Sequence, residues 1–273
     1  MSASSALPSA TVAESSRLAD FLGQTAAITA VEIRKLTRDP TELATRAIQP
    51  ALWLLIFGQV FSRIRAIPTG NLSYLEFMAP GVLAQGVLFA AIFYGIGVIW
   101  EKDLGIIHKL LASPASRLSL VLGKAIAAAI RSIPQTTIIY ILAALLGVRL
   151  DLRPDHLLVV LLLVALGSAT FATFSLVVAC VVKTRERFMG IGQVLTMPLF
   201  FASNAIYPID LMPGWLQVIA HVNPLTYLVD GLRSSMIQGG PSHFGLLPDT
   251  AAMLAVFVVL MLVAARLYPG LAR

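Results

Sequence analysis

Hydrophobic residues along this chain gather into six long runs separated by short polar stretches. The runs cover residues 47–62, 79–100, 125–148, 157–182, 188–209 and 250–265. None of the six contains an Asp or a Glu. A helix needs about 20 apolar residues to cross the hydrocarbon core of a bilayer, which is about 30 Å thick. The pattern therefore predicts an all-α membrane protein with six transmembrane helices.

The segment before the first run, residues 17–38, has the pattern of an amphipathic helix. Its apolar stripe is formed by Leu18, Leu22, Ala26, Ile33 and Leu36. Its basic end is formed by Arg34, Lys35 and Arg38. Such a helix can lie among lipid headgroups, with the stripe in the acyl region and the cations near anionic lipid. A cytoplasmic helix packed on the bundle is the alternative. Residues 1–16, rich in Ser and Ala, predict a disordered tail, and residues 39–273 a single six-span domain.

The distribution of charge predicts the orientation of the spans. The chain carries 20 Lys and Arg against 14 Asp and Glu, and its formal net charge is +6. With the N-terminus inside, fourteen Lys and Arg fall on inner segments, five on outer segments, and Arg131 within a span. This bias follows the positive-inside rule, so both termini are expected on the cytoplasmic side of the cell membrane. The basic excess indicates topology and not nucleic-acid binding. Arg131 is either a residue that snorkels to the inner interface or a polar part of a translocation surface.

One inner segment, residues 101–114, predicts a short amphipathic helix between the second and third spans. Its apolar face would be formed by Leu104, Ile107, His108 and Leu111. Ser113-Pro114 would end the helix. Exposed apolar residues on a short cytoplasmic helix are typical of a docking surface. The alternative is a helix that lies flat on the bilayer.

On the outer side, residues 207–245 contain two apolar stretches that are too short to cross a membrane. The stretches are 215–222 and 225–237. Asn223-Pro224 between them is a signal for a turn followed by a helix start. The stretches predict re-entrant or interfacial helices, which are tolerated where protein covers their backbone ends. Tyr227 would place an amphipathic ring at the interface and Arg233 a charge at the far end. An interfacial anchor without a substrate role is the alternative.

Sequence motifs for chemistry within the chain are missing. Its one Gly-Lys pair, Gly123-Lys124, lacks both the leading Gly and the following Ser or Thr of a phosphate-binding loop. The four histidines do not have metal-ligand spacing, and no Gly-x-Ser-x-Gly nucleophile motif occurs. Cys180 is the single cysteine, which excludes an intrachain disulfide. We therefore expect no catalytic residue, no metal site and no cofactor in this chain.

Three features, in this order, resemble the membrane subunits of ABC type-2 exporters. They are the basic amphipathic N-terminal helix, the inner segment Glu101–Pro114, and the stretch Asn223-Pro224-Leu225-Thr226-Tyr227 followed by Gly231-Leu232-Arg233. The resemblance covers residues 17–267. It is greatest to permeases of the daunorubicin-resistance, polysaccharide-export and nodulation-factor-export types.

The resemblance implies that two permease copies pair and bind two cytoplasmic ATPase subunits, which hold ATP and Mg²⁺. It also implies that the inner segment is a coupling helix that docks on the ATPase. Its docking residues would be Glu101, Asp103, Leu104, Ile107, His108 and Leu111. The outer helices over residues 207–237 would close the exit. The residues of this outer gate would be Tyr207, Asn223, Pro224, Tyr227 and Arg233.

The expected function is therefore the permease half of an ATP-driven exporter for an amphiphilic substrate, such as a drug, a lipid or a lipid-linked glycan. Closure of the ATPase subunits would push on the coupling helix and rock the spans. An ion-coupled secondary carrier is one alternative, and it would need titratable groups within the spans and an internal repeat. A membrane enzyme or an assembly subunit without transport activity is the other. Clustered His, Asp or Glu near one interface would indicate the enzyme.

Overall fold

The computed structural model describes residues 10–37, 48–64, 67–182 and 184–272. In chain order the helices are α1 (Ala10–Thr37), α2 (Ile48–Ile64), α3 (Tyr74–Asp103), α4 (Ile106–Ala112), α5 (Arg117–Leu145), α6 (Pro154–Val182), α7 (Arg185–Phe201), α8 (Gly214–Val222), α9 (Pro224–Met236) and α10 (Leu246–Leu267). Short 3₁₀ turns cover Ile209–Leu211 and Tyr268–Ala272. The prediction of an all-helical chain is confirmed. We call the end of the bundle that carries α4 the inner end, and the end that carries α8 and α9 the outer end.

Four helices in the described ranges are long enough and apolar enough to cross a membrane, namely α3, α5, α6 and α10. The chain is therefore a membrane-spanning bundle by length and composition. The count of six spans is not confirmed, because α2 and α7 fall short. Helix α7 has 17 residues, which rise about 26 Å against a hydrocarbon core of about 30 Å. Helix α2 is equally short and contains a π-helical turn at Trp53–Gly58.

The fifth apolar run extends beyond its helix. Residues 188–209 were predicted as one span, but α7 ends at Phe201 and residues 202–206, which we call the outer turn, are not helical. The Ser203 hydroxyl donates to the carbonyl of Phe200 at 2.7 Å, and the backbone amide of Ala205 donates to the Ser203 hydroxyl at 3.3 Å. These local bonds replace the helical ones, as Ser side chains commonly do near helix ends. Because the outer turn is buried within protein, it needs no helix to shield its backbone.

Helix α3 begins earlier than the predicted span 79–100 because its first turn is capped. The Ser73 hydroxyl accepts a hydrogen bond from the Glu76 amide, and the Glu76 carboxylate accepts one from the Ser73 amide, which makes a capping box. Arg149, from the loop after α5, donates to the same carboxylate at 2.6 Å. A carboxylate thus lies within the helix, although outside the apolar run. Pro80 sits inside α3 without ending it.

Small residues make α6 the centre of the bundle. It packs against α3, α5, α9 and α10. The Ser168 hydroxyl donates to the Ala128 carbonyl of α5 at 2.8 Å, and the Ser175 hydroxyl donates to the Ile92 carbonyl of α3. A side chain at Gly167 would collide with Leu228 of α9. Small and hydroxyl residues allow helices to approach this closely in membranes.

Helix α1 lies along α5 and contacts it with its polar face. The Thr29 hydroxyl donates to the Gly123 carbonyl at 3.2 Å, and the Ser116 amide donates to the Gln24 side-chain oxygen at 3.0 Å. Leu18 and Leu22, from the predicted apolar stripe, are more than half exposed. The helix therefore exposes the first part of its apolar stripe, as an interfacial helix would.

The boundaries of α1 differ from the expected ones. The helix begins at Ala10, so residues 10–16, which were expected in a disordered tail, are helical. These residues contain neither glycine nor proline, which are the strongest helix breakers. Arg38, the last residue of the predicted basic end, lies outside the described residues, as does the side chain of Lys35. Arg34 is on α1 and exposed.

Candidate functional site

The predicted coupling segment folds as two pieces joined at a glycine. Residues 101–103 form the last turn of α3, and α4 follows after Gly105, whose φ of 70° lies in the left-handed region that favours glycine. The Ser113 hydroxyl donates to the Leu110 carbonyl at 2.6 Å and closes α4 at the predicted end. The sequence therefore predicted the short helix and its end correctly, but not the break at its start.

The six predicted docking residues do not share one exposed face. Leu104 is 69% exposed at the junction of α3 and α4, and Asp103 and His108 are exposed beside it. Ile107 is fully buried in the main hydrophobic core, and Glu101 is only 8% exposed. Helix α4 packs on the 3₁₀ turn that follows α10, and a helix of seven residues needs a buried anchor to stay in place. The expectation of an exposed apolar face is therefore wrong for Ile107, and Glu101, which was expected only as a docking residue, also points inward.

Leu111, the last of the six, is half-buried against the core. The exposed residues at the junction of α3 and α4 are Asp103, Leu104 and His108, and we call them the inner patch. The Asp103 carboxylate accepts a hydrogen bond from Arg185, at the start of α7, at 2.7 Å. The guanidinium of Arg185 also lies 4.3 Å from the centre of the Trp100 ring. Contacts of Arg185 thus connect the inner patch to the start of α7.

A buried ion triad lies behind the inner patch and joins three helices. Lys124 of α5 approaches Glu32 of α1 at 2.8 Å and Glu101 of α3 at 2.7 Å. All three charged side chains are at most 10% exposed. A buried ion costs several kcal/mol unless it is paired and hydrogen-bonded, and the pairing here requires all three helices to be docked. Sequence reasoning missed the triad because it counted Lys124 as an inner-side charge. A single Lys within the apolar start of α5 was the available signal.

Arg131 lies two helical turns beyond Lys124 on α5 and points toward the same helices. Its guanidinium donates to the backbone carbonyl of Glu32 at 3.3 Å and lies 5.3 Å from the centre of the Tyr94 ring. Glu32 therefore contacts both cations, one through its carboxylate and the other through its backbone.

At the outer end, Asn223 fastens α9 to the end of α7. Its side-chain oxygen accepts a hydrogen bond from the Leu225 amide at 3.0 Å, and Pro224 is the first residue of the helix. Its side-chain amide donates to the carbonyls of Leu199 at 2.7 Å and Ala202 at 3.0 Å. The predicted start of a helix at Asn223-Pro224 is confirmed, and the cap also satisfies the last carbonyls of α7.

Arg233 is buried and holds the outer turn. It is 3% exposed, donates to the Asn204 carbonyl at 2.6 Å and lies with its guanidinium 3.9 Å from the centre of the Phe77 ring. Arg233 lies in the last turn of α9, as expected, but it is buried within the bundle and not at an interface. The non-helical outer turn leaves carbonyls without helical partners, and a long cation with several donors can satisfy them. Gly81 of α3 also lies against this turn, since a Cβ atom on it would collide with the backbone of Ala205.

The two predicted gate tyrosines also bond to backbone at helix ends. The Tyr227 hydroxyl donates to the His221 carbonyl at 2.6 Å, and the Tyr207 hydroxyl donates to the Phe201 carbonyl. The structure therefore brings all five predicted outer-gate residues around the outer turn and the α8–α9 junction. They join α3, α7, α8 and α9 into one outer cluster.

Two carboxylates that were not among the predicted site residues lie beside this cluster, and in the part of the chain that the structure describes only the first is hydrogen-bonded. Asp230 of α9 accepts hydrogen bonds from the Ser242 hydroxyl and the His243 amide, each at 2.8 Å. Asp249, in the first turn of α10, is fully buried, and neither of its carboxylate oxygens meets a donor among the described residues.

In the outer loop before α6, hydrogen bonds from Arg153 hold the pKa of Asp151 below its ordinary value. Within the described ranges, no three His, Cys, Asp or Glu side chains gather as metal ligands.

Known sequences identify the family of this helical bundle. Residues 23–237, which extend from within α1 past the end of α9, match the ABC-2 type transporter family. The chain belongs to the ABC-2 type transporter family. In this ABC-2 permease the matched region contains the inner patch, the triad and the outer cluster, whereas Asp249 and α10 lie beyond it.

Several curated proteins are similar to this ABC-2 permease. It is 32% identical over 206 residues to ycf38 of Cyanophora paradoxa, a protein named as a transport permease, with 73% of this chain and 69% of ycf38 covered. It is 28% identical over 234 residues to the daunorubicin resistance ABC transporter permease protein DrrB1 of Streptomyces coeruleorubidus, with 84% and 80% covered. Identity to nodulation protein J of Rhizobium meliloti is 26% over 178 residues, with 64% and 67% covered.

Proposed function

We propose that this chain is the transmembrane permease subunit of an ABC exporter and moves an amphiphilic substrate out across the cytoplasmic membrane. Separate cytoplasmic ATPase subunits bind ATP and Mg²⁺ and supply the energy. The observation that carries the proposal is the inner patch, where the exposed Leu104 lies between Asp103 and His108 at the junction of α3 and the short helix α4 in an ABC-2 permease. Exposed apolar residues of this kind are typical of protein interfaces.

In this proposal, the inner patch docks on an ATPase subunit, and two permease copies each bind one. Movement of the ATPase would reach α3 and α4 directly. It would reach α1 and α5 through the buried triad, because Glu101 sits one turn from Leu104 and is paired to Lys124. Both termini would face the cytoplasm, and α1 would lie in the inner headgroup layer.

A second copy of the chain would cover the two short helices. Helix α2 exposes Leu52, Ile56 and Phe57, and α7 exposes Val194 and Phe201. A pair of permeases could bury these faces against each other and place the substrate path between them, lined by α2, α3 and α7. Such a path would be largely apolar, which suits an amphiphilic drug, a lipid or a lipid-linked glycan. DrrB1, which is named as a daunorubicin resistance permease, accords with a drug as cargo.

The docking assignment can be tested with Leu104→Asp in the reconstituted complex of permease and ATPase. We expect at least a tenfold loss of substrate-stimulated ATP hydrolysis, because a carboxylate on the inner patch must be desolvated against the partner. The protein should still insert and purify normally. Leu152→Asp is the matched control, since Leu152 is 65% exposed in the outer loop before α6. Full stimulation in the Leu104 variant would remove the inner patch from the interface.

The exporter assignment needs a second measurement on the same complex. Inside-out vesicles should accumulate a fluorescent amphiphile when ATP is added and should not accumulate it with a non-hydrolysable ATP analogue. Accumulation driven by a proton or sodium gradient in the absence of ATP would instead identify an ion-coupled carrier and contradict the proposal.

A further inference from the structure

A cavity of about 490 Å³ opens at the inner end between α1, α3 and α5. One wall is a face of α3 formed by Phe93, Ile96, Gly97 and Trp100. The rest of the lining includes four charged residues, Glu32, Glu101, Lys124 and Arg131. The volume falls within the range of about 300–1,000 Å³ that is usual for small-molecule sites. The cavity thus has an apolar side and a charged side.

The two cations of the cavity differ in their partners. Lys124 is paired with both carboxylates, at 2.8 and 2.7 Å, and needs no further anion. Arg131 is paired with no carboxylate within the described part of the chain, where its single hydrogen bond goes to a backbone carbonyl. Its Nε atom is buried and meets no acceptor there. The two carboxylates and two cations of the cavity balance in charge, but among the described residues the guanidinium of Arg131 contacts no carboxylate and keeps donors without an acceptor.

The chemistry of this pair of surfaces defines a class of ligand. A guanidinium presents a planar fork of donors that fits the two oxygens of a phosphate or a carboxylate. The α3 wall offers two partly exposed aromatic rings, Phe93 and Trp100, to an apolar group. Gly97 between them leaves open space where a side chain would stand. An amphiphile with an anionic head and an apolar tail can satisfy both sides at once.

We propose that this cavity binds an amphiphile through a phosphate or carboxylate head held by Arg131, with its apolar tail along α3. Because Glu32 and Glu101 lie on the same side of the cavity, a head with one negative charge is preferred to one with several. The site opens near α1, so a ligand can enter from the inner headgroup layer. The ligand is either an anionic membrane lipid or the transported cargo, and only the second source rests on the proposed function.

Binding can be measured on the full-length chain in nanodiscs through quenching of Trp100. Trp53→Phe and Trp215→Phe remove the other two tryptophans. The nanodiscs contain phosphatidylcholine with a small fraction of brominated phosphatidylglycerol or, for comparison, brominated phosphatidylcholine. We expect brominated phosphatidylglycerol to quench Trp100 at a fraction at least tenfold lower than brominated phosphatidylcholine. Equal quenching by the two lipids would overturn the proposal.

Two variants separate the charge from the cavity. Arg131→Gln should abolish the preference for the anionic lipid, and Arg131→Lys should keep only part of it because the fork is lost. Gly97→Leu should abolish quenching by filling the cavity, and it leaves every charged residue in place. Arg117→Gln is the control, since Arg117 is an exposed arginine at the start of the same helix. A preference that survives both Arg131→Gln and Gly97→Leu would contradict the site.

The source of the ligand is decided in the complex with the ATPase. The site would be identified as a cargo site if dodecanoate, whose carboxylate carries a single negative charge, stimulates ATP hydrolysis in the parent protein and does so at least tenfold less in Arg131→Gln. Quenching by phosphatidylglycerol without such stimulation would identify a resident lipid. The quenching experiment needs no ATPase, so a failure of the exporter assignment would leave its result unchanged.

Discussion

The buried triad makes a prediction whose size follows from its geometry. Lys124→Met removes the cation but keeps most of the volume of the side chain. Glu32 and Glu101, which approach Lys124 at 2.8 and 2.7 Å, are then two buried carboxylates without their cation. Removal of one partner from a buried ion pair costs about 3–5 kcal/mol, because the remaining charge is left uncompensated. We expect a loss of stability of this size.

This loss is large enough to measure in detergent. At about 1.4 kcal/mol for each tenfold change, it corresponds to two to three and a half orders of magnitude in the unfolding equilibrium. For a chain of this size, Tm should fall by about 2 °C per kcal/mol, hence by about 6–10 °C. Intrinsic fluorescence during a thermal ramp of the purified permease would report the change. Lys109→Met, at an exposed lysine of α4, is the control and should leave Tm within about 1 °C.

A compensating variant decides whether charge is the cause. Lys124→Met combined with Glu32→Gln and Glu101→Gln removes all three charges, and replacing a buried ion network by neutral groups is often nearly neutral in stability. We expect it to recover most of the lost Tm. If Lys124→Met unfolds at the parent temperature, the triad is not the buried, charged network described above. If the triple variant stays as unstable as the single one, lost packing is the cause.

Three further predictions concern the outer end and use the same thermal assay. Asn223→Ala should cost about 2–4 kcal/mol, because it removes a helix cap and leaves two carbonyls without a donor. Asn223→Ser should recover only the cap, since its short hydroxyl does not extend to both carbonyls, and equal losses in the two variants would contradict this division. Gly81→Ala should destabilise the protein by about 1–3 kcal/mol, because the new Cβ would collide with the Ala205 backbone. Gly97→Ala, where the Cβ meets open space, should be neutral or stabilising. A larger loss of Tm in Gly97→Ala than in Gly81→Ala would refute the close contact at Gly81. Asp151→Asn should lower Tm at pH 7. The pKa of Asp151 is lower in the folded than in the unfolded protein, so its carboxylate stabilises the fold above pH 3.8, its ordinary pKa. This stabilisation is lost as pH falls through the folded pKa. The Tm values of the parent protein and of Asp151→Asn should therefore become equal in acid.

Local signals in the sequence predicted the parts of the fold that local physics decides. The apolar runs placed α3, α5, α6 and α10, because exclusion from water over about 20 residues needs no knowledge of neighbours. Asn223-Pro224 predicted the start of α9, because a cap and a following proline act within one turn. The order of the helical features also led to the correct family.

Features that depend on distant residues could not be predicted in this way. The end of α7 at Phe201 depends on Arg233, which satisfies the outer turn from a different helix. The burial of Ile107 depends on where the end of the chain packs. Glu32 and Lys124 are 92 positions apart, and nothing in a single sequence pairs them. In each case the residue fits its local sequence pattern, but its position in the structure depends on a contact with a residue far away in the sequence.

The carboxylates of this permease illustrate the difference between an apolar run and a helix. The runs contain no acid, yet Glu76, Glu101 and Asp249 all lie in helical turns at the ends of spans and are buried. A hydropathy run must stop at the first charge, whereas a helix continues as long as its backbone bonds and a partner for the charge are available. Glu76 has Arg149 and Glu101 has Lys124, which makes them structural. Absence of acids from the runs therefore does not by itself exclude acids from the bundle. Asp249 has no such partner among the described residues, so membership in the ABC-2 family, and not the state of the acids, speaks against an ion-coupled carrier.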